Sequence, residues 1–80
     1  MDLTQAQIDY IKQQVEANPG YSFIDASPNL GGAKFTMRVI TPSGQRTINQ
    51  PVKNQHDWQT DDTQFHTVVG WAIETMLASG

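Results

Sequence analysis

The stretch HDWQTDDTQFH, residues 56–66, gathers two histidines, three aspartates and a tryptophan. Imidazole nitrogens and carboxylate oxygens suit zinc and similar ions, and His56, Asp62 and His66 with a water would have the form of a catalytic site. Their spacing matches no established metal motif. A helix start accounts for the same residues. Asp61 lies three residues before Gln64, the spacing of a capping box, and carboxylates in a first helical turn gain roughly 0.3–1 kcal/mol each from the helix dipole. His66 follows Asp62 by one turn, so a contact between them is expected without any metal. The expectation is a capped helix with no metal and no cofactor. Catalysis is not expected either: His66 with Asp62 is only a pair, no Ser or Cys nucleophile stands beside it, and eighty residues leave little room for a deep pocket. No residue is assigned a catalytic role.

The elements that must carry these residues follow from spacing. Thr4 is a good N-cap, Gln7 completes a capping box, and Leu3 with Ile8 has the spacing of a hydrophobic staple, which predicts a helix from Gln5 to Ala17. Ile8, Ile11 and Val15 form its apolar stripe; Asn18-Pro19-Gly20 ends it, and Tyr10 is expected on the exposed side. Three strand-like segments come next. In YSFIDAS, Tyr21 and Phe23 share a face and Ile24 is an exception on the other. In AKFTMRVI, Ala33, Phe35, Met37 and Val39 alternate with Lys34, Thr36 and Arg38, the period of a half-buried antiparallel strand. A two-residue loop at Ser43-Gly44 would set Val39 opposite Ile48, Phe35 opposite Val52 and Arg38 opposite Asn49. Pro51 cannot donate to a ladder, so the third strand should lie at an edge, or Pro51 should have its nitrogen facing away from its neighbour. SPNLGG is expected as a longer, flexible loop. The last element, DTQFHTVVGWAIETMLAS, places Phe65, Val68, Val69, Ala72, Ile73 and Met76 within one arc of a helix.

The expected fold is therefore α+β: a single domain over residues 1–80, a two-layer α-β-β-β-α sandwich with a three-stranded antiparallel meander and both helices on one face. This is the element order of the double-stranded RNA-binding domain, and GGAKFTMRVITPSG resembles that family's second strand and hairpin. The resemblance implies the same architecture. In that family clustered lysines open the second helix and hold phosphates, whereas here Asp61, Asp62 and Thr63 open it, and acidic groups repel a phosphate backbone.

A domain this small buries only about 60% of its unfolded surface, and with no cysteine it has no disulfide to support it, so a homodimer is one expected source of stability. The N-terminus lacks the basic and apolar regions of a signal peptide and no apolar run is long enough to span a membrane, so a cytoplasmic protein of bacterial or phage type with no membrane partner is expected. Net charge is −3, yet no Asp or Glu occurs between Ala26 and His56, where Lys34, Arg38, Arg46 and Lys53 supply four of the five basic residues. Such a dipolar chain can steer an acidic partner to one face.

Four residues are the candidates for partner binding. Trp71 falls away from the centre of the second helix's stripe, and tryptophan is a frequent hot spot at interfaces; against this, it can fold over the edge of the core. Tyr10 would join it if the two lie together on the outer helical surface. Lys34 and Arg38 belong to a polar, mildly basic sheet face, which can equally be solvated. Trp58 is expected to plug one end of the core. The expected function is a small non-enzymatic intracellular module that contacts a protein or a second copy of itself; the alternative is nucleic-acid binding through the basic sheet face and the SPNLGG loop.

Overall fold

The computed structural model describes residues 3–79. The order is α1 (Gln5–Glu16), β1 (Ser22–Asn29), a 3-10 turn (Leu30–Gly32), β2 (Lys34–Thr41), β3 (Gly44–Pro51) and α2 (Asp62–Ser79). The strands form one antiparallel sheet in the order β1-β2-β3. One face is buried against the helices; the other is open to solvent. The fold is the α+β arrangement expected.

Helix α1 begins as its sequence predicts. The Thr4 side chain accepts the Gln7 N–H, 3.1 Å, and the Gln7 side chain accepts the Thr4 N–H, 2.9 Å, so both halves of the capping box are present. Ala17 is the C-cap. The core takes Ile11 and Val15 from α1, Phe35, Met37 and Val39 from β2, Ile48 from β3, and Phe65, Val68, Val69, Ala72 and Met76 from α2. Trp58 closes the cluster from the loop before α2, 1% exposed and edge-on to Phe35 with ring centroids 5.6 Å apart. Its indole N–H donates to the Gly32 carbonyl at 2.7 Å, tying the β1–β2 turn to the approach to α2. Each large apolar side chain withdrawn from water in this way contributes roughly 1.5–3 kcal/mol.

The hairpin differs from the expected one. Its two loop residues are Pro42 and Ser43, with Thr41 opposite Gly44, so Met37 faces Ile48, Val39 faces Arg46, Phe35 faces Gln50 and Arg38 faces Thr47. This register lies two residues from the predicted one. The Thr41 side chain decides it: buried at 4% exposure, its hydroxyl accepts the Ser43 N–H and donates to the Gly44 carbonyl. Proline suits the first loop position, and Gly44 follows at φ +117°. Val52 lies beyond the strand pairing, its N–H donating to the Ala33 carbonyl.

Strand β1 explains the misplaced isoleucine. The register shifts between Phe23 and Asp25, leaving Ile24 as the extra residue of a β-bulge. Before the bulge Phe23 packs on the core; after it Ala26 does, opposite Met37. SPNLGG is not a long loop. β1 continues to Asn29, and the chain reverses within Leu30, Gly31 and Gly32, all at positive φ.

Candidate functional site

The opening polar stretch resolves into a helix start. The Asp61 carboxylate accepts the Gln64 N–H at 3.0 Å, but the Gln64 side chain accepts the N–H of Asp57 rather than that of Asp61. Only half of the predicted capping box forms, because the turn 56–60 brings Asp57 within reach first. Gln64 thereby clamps that turn to the helix. Asp62 and His66 line one depression, where the His66 ring stacks on Tyr10, centroids 4.3 Å apart and 18° from parallel. His56 lines a different depression, beside Asp57 and the 3-10 turn. Among the described residues no three His, Cys, Asp or Glu side chains stand close enough to hold a metal ion, so His56, Asp62 and His66 do not converge.

Tyr10 is half-buried rather than exposed. The buried arc of α1 is wider than the Ile8, Ile11, Val15 stripe and draws in Gln7, whose side chain donates to the Gln59 carbonyl at 2.8 Å. Tyr10 sits on the flank of that arc facing α2, its ring 5.7 Å from Phe65 as well as against His66. Trp71 occupies the opposite flank of α2. The two aromatics line separate depressions and form no shared patch.

On the open sheet face the bulge changes the charge pattern expected from the sequence. By shifting β1 one residue, it sets Asp25 opposite Arg38, and the two side chains pair through both guanidinium nitrogens facing the carboxylate, with Nε donating to Oδ1 at 2.8 Å. The hydrogen bond from Arg38 holds the Asp25 carboxyl below its ordinary range, and the same contact raises Arg38. Thr36 donates to Asn49 across the strands at 3.0 Å. Lys34 is half-buried opposite Pro51 at the end of the sheet. No aromatic side chain of the strands lies on this face; its apolar members are Ile24 and Ile40, 39% and 47% exposed.

Trp71 is half-buried, packed in part on the core, and lines a depression of about 450 Å³ with Gln50, Pro51, Lys53, Asn54 and Glu74. Thr75, one turn along α2, donates to the Gln50 side chain at 2.6 Å and holds the helix against β3. A large amphipathic ring thus stands in a depression lined by the last two residues of the edge strand β3, the loop that follows it and α2. Sequence spacing placed Trp71 on the flank of α2 but could not supply the strand end beside it. Among the described residues no helix is long and apolar enough to cross a membrane. Comparisons with protein-family models, curated proteins and solved structures give no match to this chain.

Proposed function

We propose that this chain is a small, non-enzymatic protein-interaction module whose contact surface is the β3–α2 side, with Trp71 as its main anchor. One observation carries the reading: Trp71 is held at the margin of the core beside Pro51, at the end of a strand that among the described residues has no neighbour on its outer side. An aromatic ring already ordered by packing loses little freedom on binding, which is why such rings dominate interface energetics. Lys53 and Glu74 at the rim supply charges of both signs for orientation. Lys34, opposite Pro51, extends the surface onto the sheet, whereas Tyr10 and Arg38 are engaged within the chain by His66 and Asp25.

Nucleic-acid binding through the open face has less support. Arg38 is paired with Asp25, and the face lacks the stacking aromatics that single-strand binders present. The test is affinity capture of the tagged protein from its host lysate, with and without nuclease. Trp71→Ala should lose a protein retained by the unmodified chain in both halves, whereas Tyr10→Phe should keep it. Undiminished capture by a folded Trp71→Ala variant would overturn the reading. Retention that vanishes with nuclease, and falls steeply with salt in a manner weakened by Arg38→Ala, would establish the nucleic-acid alternative.

A further inference from the structure

The two edges of the sheet are treated differently by the sequence. β1 is blunted three times over: by the bulge at Ile24, by Pro28, and by Glu16 of α1, whose carboxylate accepts the Phe23 N–H at 3.3 Å. These are the devices by which proteins keep an edge strand from pairing with another chain. Between Gly44 and Gln50 β3 has neither bulge nor proline, its proline coming only at its end, and the side chain that meets its outer backbone there, Arg46, covers the carbonyl of Gln45 and blocks no N–H.

Strand parity shows which backbone groups of β3 face outward. Val52 N–H and the Gly44 carbonyl point inward, to Ala33 and Thr41, whereas the carbonyls of Gln45 and Pro51 are met only by the side chains of Arg46 and Gln50. Antiparallel alternation therefore turns the N–H and C=O groups of Gln45, Thr47 and Asn49 away from the sheet. Resting on the reading of the β3–α2 side as a contact surface, we infer that its partner is a second copy of this chain, joined by antiparallel β3–β3 pairing about a two-fold axis at Thr47.

The residues themselves select that register. Centred on Thr47, the pairing matches Thr47 with Thr47 and Gln45 with Asn49 in both directions, so every outward N–H between Gln45 and Asn49 finds a carbonyl. Thr–Thr and Gln–Asn are favourable cross-strand neighbours. Moving the axis to Arg46 would set two guanidinium groups directly opposite each other. Moving it to Ile48 would bring Pro51, which has no N–H, into the ladder opposite Gln45. With the axis at Thr47, Pro51 instead falls beside the partner's hairpin turn, where no donor is required. On the helical side, Arg46 crosses to lie opposite Ile48 and diagonal to Gln50. Gln50 and Glu74 line the same depression, so this register brings each Arg46 to the side of the other copy that carries Glu74, the carboxylate it would pair with. The two sheets become one of six strands.

Sedimentation over a concentration series tests this. The mass should rise from 8.9 kDa toward twice that value. Thr47→Pro removes an outward N–H that the monomer does not use, and should leave circular dichroism unchanged while holding the mass at that of one chain. Arg46→Glu should also be monomeric, and the exchange Arg46→Glu with Glu74→Arg should restore the dimer. Because the chain has no cysteine, register is read directly: the two copies of residue 47 lie about 5.5 Å apart between Cα atoms, within disulfide range, so Thr47→Cys should cross-link on oxidation and Gln45→Cys should not. A wild-type chain that stays monomeric at the highest concentration overturns the self-pairing, even if Trp71-dependent capture of another protein persists and sustains the broader reading. A dimer insensitive to Thr47→Pro overturns it as well.

Discussion

Replacing Trp58 by phenylalanine isolates one hydrogen bond that joins two distant loops. Phenylalanine keeps an aromatic ring between Phe35 and Phe65 but cannot donate to the Gly32 carbonyl, which Trp58 Nε1 approaches at 2.7 Å. A partly buried carbonyl deprived of its donor costs about 1–3 kcal/mol, and the smaller ring adds a packing defect. For a domain of this size each kcal/mol lowers the melting temperature by about 4–8 °C, so Trp58→Phe should lose roughly 5–20 °C. Trp58→Ala removes the ring itself, at about 3–5 kcal/mol. At roughly 0.05–0.15 kcal/mol per residue the domain holds about 4–12 kcal/mol, so this variant should lose a large part of its stability and melt well below Trp58→Phe. The assay is thermal and urea unfolding by circular dichroism. Tryptophan emission in a Trp71→Phe background reports the environment of Trp58 alone and should shift to the red on unfolding. A Trp58→Phe melting temperature within about 2 °C of wild type, well below the effect of one kcal/mol, would show that the bond to Gly32 contributes nothing and refute the account of Trp58 as the tie between the loops.

Three further substitutions test the parts that position the surfaces. Asp25 is held below its ordinary range by Arg38, so its contribution to stability is present above the unfolded carboxyl value of about 3.9 and is lost as pH falls through the lower folded value. The urea midpoint of Asp25→Asn should therefore lie below that of wild type at neutral pH and converge with it in acid; a gap independent of pH would count against the pair. Gly32 sits at φ +93°, and a Cβ there would lie 2.7 Å from the Gln59 amide nitrogen, whereas one at Gly31, φ +66°, meets nothing within 4 Å. Gly31→Ala should show only the left-handed backbone cost of about 1–2 kcal/mol, and Gly32→Ala, at a φ further from the left-handed helical region and with the Gln59 side chain having to move aside, should be the less stable of the two in the same unfolding assay.

The linear chain by itself determined the element order and most of the residues that face inward, because the helical and strand periods are local properties that packing then used. Ala33, expected inward, is instead exposed at the end of the 3-10 turn, and Tyr10, expected outside, is half-buried. The α1 cap, the alternation of β2, the apolar arc of α2 and the edge position forced by Pro51 are all of this kind. Hairpin register was not legible, since a slip of two residues keeps every side chain on its own face; the buried Thr41 hydroxyl makes that choice, and its burial exists only once the core has formed. Ile24 was visible as a break in alternation, but a break does not reveal which side a bulge will turn. Only the paired sheet brings Asp25 to Arg38, thirteen residues away in sequence, and so removes much of the basic character that the middle of the chain suggested. Tyr10 and His66 met across two helices, and Trp71 came to stand beside the end of β3, for the same reason: each is a contact between elements distant along the chain, and the spacing within either element carries no information about the other.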